Sequence, residues 1–436
     1  MSHRTSPGGA ADHYVAGPAP HGWFQALLTA LAALVVMTVV ASAGLWAAGA
    51  HTLPGAAFPR VVAAVVLMAV GGDIDLSGDA GGLAGAQGDL GVLPLSVTLV
   101  GALVLGAGFL VPLRHRAVVG ERELAGWAAR IAVPWVVVLV ALALFARQEF
   151  RVSIGDGAIG DLGDLLGIAP TVGFAGDIGT SVLVGLVWLA GVLVITLLVA
   201  RRTPVPPRLL RFHGAVRPAA HAMLDVLLTY VVAGLVVGLV VAATRGNAAE
   251  TVGVLLLGLP NLVWLAFTLG LGATWDGRIE GPFGLPVPKV LDEVLRGSGG
   301  GELSVLNVRT LAERDPRAWW LVPFAALVLL AAAFLMARRS PAGTALWRFA
   351  LRMGIALVLT VLIVCLTGRV SAHFGLSLLG IGDLGGGLGG QVRLSPRLWG
   401  ALGTAALWGL VTGFLGGAAA RVHARATGRV DERLGA

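Results

Sequence analysis

Long apolar runs separated by short polar segments dominate this chain of 436 residues. A helix needs about 20 mostly apolar residues to cross roughly 30 Å of hydrocarbon. Eight runs meet that requirement and are predicted to be transmembrane helices: residues 24–47, 93–113, 127–146, 178–200, 219–243, 319–337, 346–367 and 398–420. The pattern therefore predicts an all-α polytopic membrane protein.

Two further apolar pieces differ from these spans. Residues 58–71 are too short to cross a bilayer, and residues 253–274 are long enough but contain Pro260 and Asn261. Pro59 has the corresponding place in the shorter piece, and proline inside a helix removes a backbone donor and kinks or breaks it. We predict two short re-entrant or interfacial helices, with helix breaks at Pro59, Pro260 and Asn261.

The same order of segments occurs twice along the chain, which predicts a tandem parallel duplication. Two matching pairs support it: Phe58-Pro59-Arg60 with Leu259-Pro260-Asn261, and Arg151-Val152-Ser153 before Ile159–Gly163 with Arg369-Val370-Ser371 before Ile381–Gly385. The predicted organisation is a cytoplasmic tail (1–22), a first membrane repeat (23–200), a basic cytoplasmic linker (201–218), a second membrane repeat (219–420) and a basic cytoplasmic tail (421–436).

Arginine positions orient the predicted spans. With eight crossings and a cytoplasmic N-terminus, the cytoplasmic segments hold 18 of the 31 basic residues and six of the 24 acidic residues. This bias is the one that the positive-inside rule describes. We therefore predict a multi-pass protein of the plasma membrane with both termini in the cytoplasm. Because the basic residues lie in short clusters between apolar runs, nucleic-acid binding is not predicted.

Composition also limits the chemistry of the chain. Its one cysteine, Cys365, allows no intrachain disulfide and no thiolate metal cluster. The sequence has no zinc-protease, serine-hydrolase or phosphate-loop motif. We predict no catalytic residue, no metal and no cofactor, so an enzyme is disfavoured. The predicted partner is the lipid bilayer, and small residues at four-residue spacing, such as Gly409 and Gly413, would suit tight packing within the chain, a membrane-protein partner or a homodimer.

Three groups of polar residues are candidates for function. Asp161 and Asp383 occupy matching Gly-rich loops and could form a polar mouth; Gly380-Ile-Gly382-Asp383 also matches the short motif of intramembrane aspartyl proteases. His221 and Asp225 share one face of a predicted span and could relay a proton. Residues 73–79 have the first oxygen ligands and the glycine of a calcium loop, but residue 84 is alanine where that loop has its bidentate glutamate.

Several longer strings resemble one known family. Residues 72–85, 94–98 and 375–390 look like segments of the streptophobe family, which comprises polytopic membrane proteins of streptomycetes. The resemblance covers roughly residues 20–420 and implies no activity, substrate or catalytic residue. Residues 259–264 with Gly270-Leu271-Gly272 are more distantly similar to one segment of actinobacterial PerM-like membrane proteins associated with cell division.

Three functions remain open at this point. Envelope maintenance, or service as a membrane scaffold, agrees with a chain that has few buried ionisable groups. The alternative is transport of a neutral or lipidic small molecule, because broken helices at matching places of two repeats often form transporter binding sites. Intramembrane proteolysis is a third reading, and it depends on Asp161 and Asp383.

Overall fold

The computed structural model describes residues 22–53, 57–79, 84–115, 121–151, 171–200, 210–244, 246–280, 304–341, 343–378 and 390–434. Its helices are α1 (Trp23–Ala47), α2 (Ala57–Ala69), α3 (Leu95–Leu110), α4 (Glu121–Phe145), α5 (Ile178–Val199), α6 (Leu210–Thr244), α7 (Ala248–Gly270), α8 (Val308–Arg314), α9 (Leu321–Arg338), α10 (Leu346–Thr367) and α11 (Leu398–Leu434). Its strands are β1 (Ile74–Asp79), β2 (Ala84–Val92), β3 (Arg147–Arg151), β4 (Thr171–Gly176), β5 (Trp275–Glu280), β6 (Ser304–Leu306), β7 (Val370–Leu378) and β8 (Gly390–Pro396).

The helices confirm the predicted membrane class. Eight of the described helices are long and apolar enough to cross a membrane: α1, α4, α5, α6, α7, α9, α10 and α11. Many of their large apolar side chains face outward, for example Leu183 and Val237, which are 66% and 62% exposed. Such surfaces need lipid around them, since water would penalise so much exposed hydrocarbon. The chain is an integral membrane protein.

A sheet joins the ends of these helices, and the sequence did not predict it. The strands form one eight-stranded sheet in the order β3-β4-β1-β2-β7-β8-β5-β6, and every described pair of neighbours is antiparallel. The sequence predicts Gly- and Asp-rich loops in these regions. The sheet pairs the backbone groups of residues that such loops would leave to water.

The sheet also shows on which side of the bundle several helices begin and end. Helices α2 and α7 lead into β1 and β5, and Asp225 in the first half of α6 pairs with Arg339 at the end of α9 that lies away from the sheet. Helix α6 therefore ends on the sheet side, and α7 begins and ends on that side. Helix α3 starts from the sheet, and with the 3-10 turn Pro112–His115 it is about 30 Å long. By length and composition α7 is a candidate span and α3 is a shorter apolar helix, whereas the connectivity of the chain favours α3 as the crossing helix and α7 as the predicted re-entrant one.

The two halves have the same internal arrangement. Each half orders its strands alike, β3-β4-β1-β2 and β7-β8-β5-β6. Ile74 lies opposite Gly176 in the first half, and Trp275 lies opposite Pro396 in the second. The turns after α2 and α7 are also alike, because both use a glycine with φ of 88°, Gly71 and Gly272. Strand β2 pairs with β7 along nine residues and joins the halves head to tail.

Each half has its own apolar core, and glycines bring the helices of that core together. Trp127, Trp135 and Phe109 are buried in the first core, and Phe267 and Trp275 in the second. A Cβ added at Gly409 would lie 2.6 Å from the Gly354 Cα, and one added at Gly413 would lie 2.7 Å from the Phe349 carbonyl oxygen. The small-residue stripe of α11 therefore packs against α10 within the chain.

Candidate functional site

Helix α7 is broken near its middle. Gly258 has non-helical angles, φ −133° and ψ 15°, two residues before Pro260. The proline has no N–H to donate and its ring displaces the preceding turn, so the ladder of backbone hydrogen bonds cannot run straight through this point. A glycine takes up the irregular backbone at little steric cost.

Ser96 of the first half repairs the opened ladder. Its Oγ donates to the Leu255 carbonyl oxygen at 2.9 Å and accepts from the Leu259 N–H at 3.1 Å. Residues four apart would bond directly to each other in a regular helix, and here the hydroxyl is inserted between them. Ser96 is 8% exposed, so this exchange takes place away from solvent.

Asn261 makes a second link between the same two segments. Its Nδ2 donates to the Leu93 carbonyl oxygen at 2.8 Å, and its Oδ1 accepts from the Leu95 N–H at 3.1 Å. The side-chain amide thus pairs with the backbone groups on both sides of Pro94, where α3 begins. The break in α7 is therefore held by the first turn of α3, from the other half of the chain.

The broken helix lines a cavity between the two halves, which we call the seam cavity. Its volume is about 560 Å³, within the range of roughly 300 to 1,000 Å³ that is usual for small-molecule sites. Its wall is mainly apolar, and the residues that form it include Val65, Met68, Leu93, Val254, Leu257, Leu262, Leu265, Trp275, Val364, Val370 and Val392. Glu250 and Arg393 are the charged residues of this wall.

The indole groups near the cavity already have hydrogen-bond acceptors. Trp275 donates from Nε1 to the Thr268 Oγ1 at 3.0 Å, and Trp264 donates from Nε1 to the Leu227 carbonyl oxygen at 3.3 Å. Both rings therefore present apolar surface to the cavity while their N–H groups are satisfied elsewhere. This arrangement favours an apolar occupant over one that needs many hydrogen bonds.

Of the residues predicted from the sequence, Asn261 lines the seam cavity and Pro260 lies in the broken helix beside it. Asp161 and Asp383 lie outside the described residues. Asp225 forms an ion pair with Arg339 at 2.8 Å, and His221 precedes it by one helical turn. Neither of those two lines the seam cavity.

The structure differs from two further predictions, the helix break at Pro59 and the calcium loop. Pro59 lies in the first turn of α2, where a helix has no use for the missing N–H, and α2 continues to Ala69. Ile74–Asp79, the core of the candidate calcium loop, is a strand paired with β2 and β4. An extended strand sends successive side chains to opposite faces, whereas a calcium loop must wrap its ligands around the ion.

Sequence reasoning missed the partner of the broken helix. Pro260 and Asn261 predicted the irregular helix, but nothing in the sequence indicated that Ser96 and residues 93–95 would contact it. A serine in the first turn of an apolar span more often bonds to its own helix.

Comparison of the chain with protein-family models, with curated proteins and with solved structures found no match.

Proposed function

We propose that this integral membrane protein binds a lipidic or other neutral apolar molecule in the seam cavity and transports it. The observation that carries this proposal is the apolar cavity of about 560 Å³ against the broken helix α7. Discontinuous helices at the interface of two repeats commonly form transporter binding sites. Transfer of a neutral apolar molecule from water to this apolar wall has a favourable free energy, whereas an ion would lose its hydration there without a compensating contact.

The break supplies a place where the wall of the cavity can move. At the break, the side chains of Ser96 and Asn261 form the hydrogen bonds that link α7 to α3. A change in the angle of α7 would therefore break and re-form these side-chain bonds and leave the backbone bonds of the regular turns intact. Gly258 has the backbone freedom that such a hinge needs. In this proposal, movement of α7 about Gly258 opens the seam cavity to the cargo.

We further propose the plasma membrane as the location, with both termini cytoplasmic. Support comes from the arginines at the helix ends away from the sheet: Arg338, Arg339, Arg348, Arg352, Arg421 and Arg425. By the positive-inside rule this side faces the cytoplasm, which leaves the sheet outside. In a Cys365→Ala background, we expect His51→Cys to react with an impermeant maleimide in intact cells and Arg425→Cys to react only after lysis. The reverse pattern would overturn the orientation.

Ligand-dependent stability tests the binding proposal. The purified protein in detergent would be melted with a panel of neutral lipids and apolar amphiphiles. A ligand at about 100 times its dissociation constant adds roughly 2.7 kcal/mol to the free energy of unfolding if it binds only the folded state. We expect a rise in melting temperature with one class of compound.

A matched pair of variants assigns that rise to the cavity. Val254→Phe places a larger side chain in the wall of the seam cavity, whereas Val237→Phe makes the same change at a lipid-facing site of α6. We expect Val254→Phe to abolish the ligand-dependent rise and Val237→Phe to keep it. An equal rise in both variants would show that the ligand binds elsewhere.

Envelope maintenance or a scaffold role stays a prediction, as does membership of the streptophobe family. A scaffold would co-purify with a protein partner and would show no ligand-dependent rise in melting temperature. Of the strings that resemble the streptophobe family, residues 84–85 begin β2 and residues 375–378 end β7, and these two strands pair across the halves. Residues 94–98 form the start of α3, where Ser96 contacts the break. These strings therefore lie in elements that hold the two halves together.

A further inference from the structure

One face of helix α10 has two arginines near its start and exposed apolar side chains along the rest of its length. Arg348 and Arg352 lie four residues apart in the first two turns. Ile355, Leu359 and Leu366 follow at 3.6-residue spacing, so they lie on the same face as the arginines. These three side chains are 54%, 54% and 46% exposed. We call these five residues the lipid face of α10.

Trp347 places the two arginines at the level of the lipid headgroups. It is 61% exposed, and tryptophan is enriched at the boundary between headgroups and hydrocarbon. The guanidinium carbon of Arg348 lies 5.4 Å from the centre of the Trp347 ring, which is a cation–π contact. Arg352 lies one helical turn, about 6 Å, further into the span. A long arginine side chain at this depth reaches the headgroups by extending along the helix.

No carboxylate neutralises these two arginines within the part of the chain that the structure describes. Helix α10 contains no Asp or Glu. Helix α6 packs against α10 and has one carboxylate, Asp225, which is already paired with Arg339. The Arg352 Nη1 is buried and has no hydrogen-bond acceptor among the described residues. Like charges one turn apart repel, and a buried N–H without an acceptor is unfavourable, so a bound anion would relieve both costs.

We propose that the lipid face of α10 binds an anionic phospholipid, with its phosphate between Arg348 and Arg352 and an acyl chain along the apolar side chains. A planar guanidinium donates paired hydrogen bonds to phosphate oxygens. Two positive charges favour a lipid of net negative charge over a zwitterionic lipid, whose ammonium group they repel. From Arg352 to Leu366 the face is about 21 Å long, which exceeds the roughly 15 Å of hydrocarbon in one leaflet.

This site is separate from the seam cavity and does not depend on the proposed transport. Val364, an α10 residue in the wall of the seam cavity, is 2% exposed and lies on the opposite side of the helix from Leu359 and Leu366. Neither arginine of the lipid face lines that cavity. A lipid at this site would therefore bind the outer surface of the bundle, where α10 meets the bilayer.

The test compares dioleoyl lipids that differ in the headgroup. Native mass spectrometry of the detergent-purified protein would measure binding of phosphatidylglycerol (anionic), phosphatidylethanolamine (zwitterionic) and dioleoylglycerol (no phosphate). We expect phosphatidylglycerol to bind at least about fivefold more tightly than phosphatidylethanolamine, because each arginine near an anionic headgroup contributes about that factor. An excess of glycerol 3-phosphate should not displace the anionic lipid, because it has no acyl chain to lie along the apolar residues.

Charge-neutralising variants locate the headgroup. We expect Arg348→Gln and Arg352→Gln each to weaken phosphatidylglycerol binding about fivefold, and the double variant about 25-fold. Binding of dioleoylglycerol should not change in any of them. Arg348 is exposed, so Arg348→Gln tests the site even if Arg352→Gln lowers stability. Arg338→Gln is the matched control: it removes one charge at the same end of the bundle, where Arg338 lies over the Phe334 ring, and should alter binding less than about twofold.

Four results would overturn this inference. Equal binding of the two phospholipids would show that the arginines do not select an anion. Equal weakening by Arg338→Gln and Arg348→Gln would reduce the effect to the general surface charge. Displacement of the lipid by glycerol 3-phosphate would mean that the apolar residues contribute nothing. A dimer that dissociates in the double variant, with lipid binding unchanged, would show that this face contacts a second copy of the chain.

Discussion

Replacing Ser96 with alanine should show how much the broken helix depends on the first half of the chain. The hydroxyl donates to the Leu255 carbonyl oxygen and accepts from the Leu259 N–H, and alanine can do neither. Leu259 is 7% exposed, so water cannot readily replace the lost acceptor. The substitution leaves the Leu259 N–H and the Leu255 carbonyl oxygen of α7 without the hydroxyl group that bonded to both.

The expected cost follows from that arrangement. A buried donor that loses its partner costs about 1–3 kcal/mol, while hydrogen bonds between helices in membranes average only about 0.6 kcal/mol and reach about 1.7. We therefore expect Ser96→Ala to lower the free energy of unfolding by about 1–3 kcal/mol. Ser340→Ala is the matched control, because Ser340 lies just beyond the end of α9 and its hydroxyl donates to the Met336 carbonyl oxygen of that same helix. Its cost should stay within about 0.5 kcal/mol.

Equilibrium unfolding of both variants in mixed micelles, with increasing SDS and detection by circular dichroism, would measure these differences. Ser96→Ala should also weaken binding of the seam-cavity ligand, because α7 loses a contact that sets its angle. Equal stability of Ser96→Ala and Ser340→Ala would refute the reasoning, since it would mean that the inserted hydroxyl contributes nothing to the broken helix.

Three further predictions concern the links and turns of the two halves. Asn261→Ala should lower the free energy of unfolding by about 1–2 kcal/mol in the same assay, because the Leu95 N–H and the Leu93 carbonyl oxygen both lose their partner. Gly71→Ala should lower the free energy of unfolding more than Gly272→Ala does. Both glycines have φ of 88°, which costs an alanine about 1 kcal/mol, but only at Gly71 would the added Cβ lie 2.5 Å from a side chain of α5. Equal losses of stability in the two variants would contradict the steric clash. Hydrogen bonds from Thr180 lower the pKa of Asp177, so its contribution to stability is present above the usual carboxyl pKa and is lost as the pH falls through the lowered value; melting curves against pH should show this loss in the native protein and not in Asp177→Asn.

The membrane helices could be predicted because hydropathy decides them. Helix α10 has the predicted bounds, 346–367, and the predicted run 178–200 contains α5. The interface with lipid requires apolar residues along the whole span, so the signal is strong and local. Helices α6 and α11 exceed the predicted spans, because their polar ends continue beyond the apolar runs as regular helix.

The sheet could not be predicted because its strands lack the usual sequence signal. Strand β2 reads Ala-Gly-Ala-Gln-Gly-Asp-Leu-Gly-Val, with one β-branched residue and three glycines, which is the composition of a loop. Its partner β7 begins at Val370, far along the chain, and no local pattern can specify so distant a pairing. The strands are specified instead by the helices, whose ends bring these polar segments together on one side of the bundle.

The seam cavity depends on the place where the two halves differ. Aligning Phe58 with Leu259 matches α2 to the part of α7 that begins at Gly258. Among the described residues of the first half, only the short 3-10 helix Ala50–Thr52 corresponds to the α-helical turns Ala248–Leu257. Four residues of the cavity wall lie in these added turns: Glu250, Gly253, Val254 and Leu257. The added turns also reach the first half, because a Cβ at Gly253 would lie 3.1 Å from the Ala48 nitrogen. The break at Gly258 is thus the junction between the shared helix and the added turns, which is where a hinge that serves one cavity of a duplicated fold should lie.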